Sequence, residues 1–106
     1  MTDCLVVLMT ASSADEGERL ATVLVEEQLA ACVNIVAGVR SIYRWAGQLQ
    51  RDEECLLIAK TRATAFEALA ARVRALHTYA TPEIIALPIT AGSQTYLDWL
   101  TGVVRQ

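Results

Sequence analysis

Many of the groups on which enzymes depend are scarce in this chain of 106 residues. It has one histidine, three cysteines, two prolines and five scattered glycines. The sequence contains no glycine-rich phosphate loop, no G-x-S-x-G turn and no H-E-x-x-H motif, so we expect no enzymatic activity. A single histidine among widely spaced cysteines also lacks the ligand spacing of a conventional zinc site.

Charge is scarce as well, because charged residues make up 20% of the chain and the net charge is −3. Without a basic run, a nucleic acid is not an expected partner. The unbroken apolar stretches, such as Cys4–Met9 and Cys55–Ala59, fall far short of the roughly 20 residues that cross a bilayer. The first residues lack the basic region of a signal peptide, and the odd cysteine count does not suggest a disulfide framework. We therefore expect one cytoplasmic domain over residues 1–106, without a membrane partner.

Apolar residues, in contrast, are abundant at 54%. Strand-like and helix-like stretches alternate in the order β-α-β-β-α-β, followed by a helical tail. The stretches are Asp3–Thr10, Ser13–Ala30, Cys32–Val36 resuming at Val39–Trp45, Glu54–Thr61, Thr64–Leu76, Glu83–Ile89 and Gly92–Val104. Gly47-Gln48 predicts a turn that joins Ile42–Trp45 to Leu49–Glu53 as a hairpin.

The two halves of the chain share a pattern that predicts an α+β ferredoxin-like fold. Cys4-Leu5 recurs as Cys55-Leu56, and the capping box Ser13/Glu16 recurs as Thr64/Glu67. Two β-α-β halves of this kind place both helices on one face of a four-stranded sheet. Because the strands are apolar almost throughout, the opposite face needs a cover, and we predict a homo-oligomer.

Polar candidates for function are few, and each has an alternative structural role. The stretch His77–Glu83 gathers an imidazole, a phenol and a carboxylate, yet His77 could simply complement a helix C-terminus and Glu83 could form an ion pair. Lys60 ends an apolar strand, where it either reaches solvent or faces a polar pocket. The aromatic residues could form packing contacts or a binding site; they are Tyr43, Trp45, Tyr96 and Trp99.

Five motifs in order along the chain resemble the CutA family of divalent-cation tolerance proteins. They are Leu29–Ile35 (LAACVNI), Ser41–Gly47 (SIYRWAG), Lys60-Thr61, His77–Ile89 (HTYATPEIIALPI) and Tyr96–Leu100 (YLDWL). The resemblance implies a ferredoxin-like subunit in a homotrimer similar to the PII signalling proteins. It also implies a non-enzymatic, cytosolic role in tolerance to copper and other divalent ions.

The resemblance also suggests two sets of site residues. His77 stands where family members often carry a histidine associated with copper, and Met9 replaces a cysteine found in some members, leaving a thioether ligand. Weak copper binding is therefore expected at His77 and Met9. An alternative function is the binding of a small anion in an inter-subunit cleft, by Lys60, Tyr79, Glu83 and Trp45. A purely structural trimer is the third possibility.

Overall fold

The chain folds as an α+β sandwich built on one four-stranded antiparallel sheet. A computed structural model describes residues 2–105, and its elements are β1 (Cys4–Ala11), α1 (Ala14–Glu26), β2 (Cys32–Trp45), β3 (Gln48–Arg62), a 3₁₀ turn (Ala63–Ala65), α2 (Phe66–Leu76), β4 (Ile84–Pro88) and α3 (Gln94–Val103). The strand order is β2-β3-β1-β4. This order is the one that two interleaved β-α-β units produce, so the predicted ferredoxin-like plan is confirmed.

The main core lies between one face of the sheet and helices α1 and α2. Alternate residues of the two central strands point into it, because successive side chains of a strand face opposite sides. The fully buried members include Val7, Met9, Leu57 and Ala59 from the strands and Leu20, Leu24, Leu69 and Val73 from the helices. Leu76, at the end of α2, is exposed.

Among the described residues, α3 packs on one end of the opposite face of the sheet. Cys4 belongs to the alternate set of strand positions and is buried with Leu97, Leu100 and Val104. Farther along this face Ile85 and Leu87 remain about half exposed. Part of the apolar excess in the composition is therefore located on this open face. Among residues 2–105, no helix is both long enough and apolar enough to cross a bilayer.

Strands β2 and β3 run past the end of β1 as a two-stranded ribbon, here called the hairpin arm (residues 37–54). The predicted interruption at Ala37-Gly38 is a bulge between Val36 and Val39, and β2 continues through it to Trp45. The predicted turn is displaced by one residue. Ala46 and Gly47 both have positive φ, 53° and 78°, as a two-residue hairpin turn requires.

Helix termini show which capping signals the fold uses. The Ser13 side chain accepts a hydrogen bond from the Glu16 amide at 3.1 Å, so the first predicted cap is confirmed. The helix ends at Glu26, before the predicted Ala30, because Gln28 adopts a left-handed conformation (φ 61°). The second capping box is wrong: α2 follows the 3₁₀ turn, and its N-cap is Ala65, which has no side-chain acceptor.

Residues 77–83, the connecting loop, run from the end of α2 to β4. Glu83 was predicted in the last strand, but β4 begins only at Ile84. Glu83 therefore belongs to the connecting loop. Strand β4 is an edge strand, which suits Pro88 because proline cannot donate a ladder hydrogen bond.

Candidate functional site

A pocket of about 700 Å³ lies between the hairpin arm and the connecting loop. The arm contributes Tyr43, Trp45 and Glu54, and the loop contributes Tyr79 and Glu83. The remaining lining residues are Thr10, Ser41, Ile42, Ala80 and Thr81. The volume falls within the range of small-molecule pockets, about 300–1,000 Å³. Within residues 2–105, the charged side chains in this lining are the two glutamates.

Glu54 and Tyr79 link the two walls of the pocket. The Tyr79 hydroxyl donates a hydrogen bond of 2.9 Å to Oε2 of Glu54, whose residue is only 8% exposed. Burial and this hydrogen bond raise the pKa of the Tyr79 phenol well above its usual value. The phenol therefore stays a donor throughout the physiological range, while Oε1 of Glu54 has no hydrogen-bond partner among the described residues.

A second phenol–carboxylate pair lies on the arm. The Tyr43 hydroxyl donates to Oδ2 of Asp52. That hydrogen bond is the main cause that raises the pKa of Tyr43, and the charge of Glu54 adds to it. The negative charges of Glu54 and Asp52 also raise the pKa of Tyr79. These carboxylates therefore give the pocket a negative potential.

His77 holds the start of the connecting loop from inside the protein. Its side chain is fully buried, and its Nδ1 accepts the Tyr79 amide hydrogen at 3.0 Å. Nε2 must then carry the ring proton, which it donates to the Thr10 carbonyl at 2.7 Å. The imidazole ring also packs on the Tyr79 ring, with 4.8 Å between centroids. His77 is thus a positioning residue for Tyr79, and both of its nitrogens are engaged.

Glu16 completes this network from the first turn of α1. One carboxylate oxygen accepts from the amide and the hydroxyl of Ser12, both at 2.8 Å. The other accepts from the Thr78 amide at 2.8 Å and lies 3.6 Å from Nδ1 of His77. Burial by itself would raise the pKa of this carboxyl, but the hydrogen bonds from Ser12 and Thr78 oppose it and lower the pKa to about 2.

The predicted copper ligands do not fit a metal ion in this conformation. Neither nitrogen of His77 has a lone pair to spare, because one carries a proton and the other accepts a hydrogen bond. Met9 is fully buried in the core beneath the helices. Across residues 2–105, no group of three or more His, Cys, Asp or Glu side chains is arranged to hold a metal ion.

The four residues predicted for an inter-subunit cleft are only partly brought together. Trp45, Tyr79 and Glu83 line the pocket, whereas Lys60 does not. Lys60 pairs in register with Cys32, and its Nζ donates to Oδ1 of Asn34. Within one subunit Lys60 is therefore separated from this pocket, whose own charged groups are negative. The cleft between subunits stays a prediction.

Comparison with known proteins gives the same family as the motifs. A family model described as CutA1 divalent ion tolerance protein matches residues 5–103. The chain belongs to the CutA1 family. It is 56% identical over 95 residues to the divalent-cation tolerance protein CutA of Thermus thermophilus, covering 90% of this chain and 92% of that protein. It is 50% identical to the chloroplastic protein CutA of Arabidopsis thaliana over 95% of this chain, which spans 56% of the plant protein.

Solved CutA1 structures have the same fold. The structure of the Thermus thermophilus protein superposes with a TM-score of 0.95 at 52% identity, covering 96% of this chain and 99% of that one. The protein from Archaeoglobus fulgidus, described as periplasmic, superposes with a TM-score of 0.93 at 39% identity, covering 96% and 99%.

Sequence reasoning on this CutA1 chain missed several residues that build the pocket and its support. Glu54 was read as the first residue of a strand, and Glu16 only as part of a capping box. The sequence does mark Glu54 as a residue of interest, because a carboxylate at the start of an apolar strand must be solvated or paired. Its partner Tyr79 lies 25 positions away, so no local pattern could identify the pair.

Proposed function

We propose that this CutA1 chain acts as a homotrimer in the response of its cell to divalent cations, and that the pocket between the hairpin arm and the connecting loop is its ligand site. The observation that carries the proposal is the sign of the charge in the pocket. Its charged lining residues are carboxylates, Glu54 and Glu83. Carboxylate oxygens suit divalent ions and repel anions, so the geometry favours a cation over the small anion considered above.

The trimeric part of the proposal is supported by the surfaces that the subunit leaves uncovered. Leu49 is 56% exposed on the hairpin arm. A two-stranded ribbon is marginally stable in water without a packing surface. The open sheet face adds Ile85 and Leu87, and no strand of residues 2–105 pairs with the outer edge of β2. Other copies of the chain would cover these apolar groups and pair this edge.

Binding without catalysis is the activity that we propose, in a cytoplasmic setting. The three cysteines, Cys4, Cys32 and Cys55, are free, as in most proteins of reducing compartments. Copper is the ion that the family resemblance implies, and two carboxylates per subunit would hold it weakly. We expect dissociation constants of about 0.1–1 mM, at the weak end of protein cation sites.

Titration of Cu²⁺ and Mn²⁺, followed by electron paramagnetic resonance at constant ionic strength, tests the metal assignment. Glu54→Gln and Glu83→Gln should each weaken binding about tenfold, because each removes a charged ligand. Glu53→Gln is the matched control, since Glu53 is an exposed neighbour outside the pocket. The proposal is wrong if both pocket variants bind as the wild type does. It is equally wrong if copper is lost only in His77→Gln.

A further inference from the structure

We propose that this pocket also binds an organic ammonium cation, held by Glu54 and the aromatic rings of Tyr43, Trp45 and Tyr79. This inference rests on the proposed function only in placing the ligand site in this pocket. It names a different chemical class of ligand from a bare metal ion.

The first argument is the concentration of aromatic side chains. The chain contains two tryptophans, three tyrosines and one phenylalanine, and half of these six line the pocket. An aromatic ring presents a negative face that attracts a cation, and tryptophan does so most strongly. Within the single subunit Trp45 is 58% exposed, so the subunit's own fold leaves its ring open to a ligand.

The second argument is the state of Glu54. The residue is more than nine-tenths buried, and Tyr79 satisfies one of its oxygens. The other oxygen has no hydrogen-bond partner among the described residues and is reached by solvent, since no fully buried side-chain oxygen among them lacks a partner. Within residues 2–105, no lysine or arginine lines the pocket, so this oxygen is open to an ion pair with a cationic ligand.

Size and hydration distinguish an organic cation from a metal ion. A space of about 700 Å³ is much larger than one ion needs, and no group of three metal-ligating side chains lies within residues 2–105. A divalent ion would keep most of its water here and would gain little from the three aromatic rings. A substituted ammonium sheds water easily and can use the rings and the carboxylate together.

A fluorescence titration with choline as the probe tests this proposal. The background is Trp99→Phe, which leaves Trp45 as the sole tryptophan; Trp99 lies on α3 against Tyr96, outside the pocket lining. Choline should change the Trp45 emission saturably. The neutral isostere 3,3-dimethylbutan-1-ol should bind at least about tenfold more weakly, because it lacks the charge that rings and carboxylate recognise.

Matched variants separate this proposal from metal binding. In that background, Glu54→Gln should weaken choline binding about tenfold, and Glu53→Gln should not change it. Trp45→Leu should weaken choline binding, measured by calorimetry, yet leave Mn²⁺ binding intact, because a hydrated metal ion does not use the ring.

The outcomes for the two ligands are distinguishable. If Mn²⁺ binds and choline does not, this inference is overturned and the metal proposal stands. If choline binds and Mn²⁺ does not, this inference stands and the metal assignment is overturned. Equal binding of choline and its neutral isostere would reduce the pocket to an apolar cavity and overturn the inference. Failure of both ligands would overturn both proposals.

Discussion

Replacing Glu16 by glutamine should remove most of the acid sensitivity of this protein. The carboxyl pKa falls from 4.5 to about 2 in the folded chain, where Ser12 and Thr78 donate hydrogen bonds to it. A shift of that size corresponds to about 3 kcal/mol of stability, at about 1.36 kcal/mol per unit. Because the folded-state pKa is the lower one, this contribution is complete above the unfolded pKa and is lost as the pH falls towards 2.

Glutamine has nearly the shape of glutamate, but only one of its two terminal groups can accept hydrogen bonds. Its carbonyl can accept from Ser12 or from the Thr78 amide, and its NH₂ group must then face the other donor. A buried donor left without an acceptor costs about 1–3 kcal/mol. At neutral pH we therefore expect Glu16→Gln to lower the free energy of unfolding by about 3 kcal/mol.

Urea unfolding followed by tryptophan fluorescence, at fixed protomer concentration and ionic strength, measures both effects. Between about pH 5 and pH 2.5 the wild type should lose stability steeply and Glu16→Gln much less. The control is Glu18→Gln, on the exposed side of the same helix, which should follow the wild type. If the free energies of unfolding of the wild type and Glu16→Gln fell in parallel with pH, the assignment of the lowered pKa to Glu16 would be refuted.

Two further predictions concern assembly and the hairpin turn. Light scattering should give the wild type a mass of three times the 11.6 kDa subunit. Ile85→Lys on the open face should lower this mass, because a lysine cannot be buried there. Val25→Lys, at an exposed apolar position of α1, should keep the wild-type mass; a wild-type monomer at micromolar concentration would contradict the proposal. Ala46→Gly should raise the free energy of unfolding by about 0.5–1 kcal/mol, because glycine adopts the positive φ of 53° without strain. A destabilised Ala46→Gly in urea unfolding would show that the turn differs in solution.

The arrangement of elements could be predicted because its signals are local. Ser13 caps α1 as its sequence pattern indicates, and the repeat of Cys4-Leu5 at Cys55-Leu56 correctly identified two equivalent units. The prediction of helix starts failed where a contact with a residue distant in the sequence set the local structure. The Ala63 amide donates to the Asp3 carbonyl at 2.7 Å, and the chain enters α2 through a 3₁₀ turn in place of the cap expected at Thr64.

The candidate site was predicted in its residues more than in its organisation. Trp45, Tyr79 and Glu83 line one pocket within the subunit, whereas the family resemblance implied a cleft between subunits. His77 illustrates the limit of such reasoning, because a lone imidazole in a polar loop resembles a ligand. Only the fold shows that β1 and the Tyr79 amide occupy both of its nitrogens.

By itself, the sequence determined the order of strands and helices, the family and the apolar excess that calls for assembly. These follow from periodicity, capping and composition, which act over a few residues. The tertiary structure alone decided that Glu54 meets Tyr79, that Lys60 lies outside the pocket, and that the pocket is acidic. The physical reason is that hydrogen bonding, burial and electrostatic potential depend on groups far apart in the chain, which only folding brings into contact.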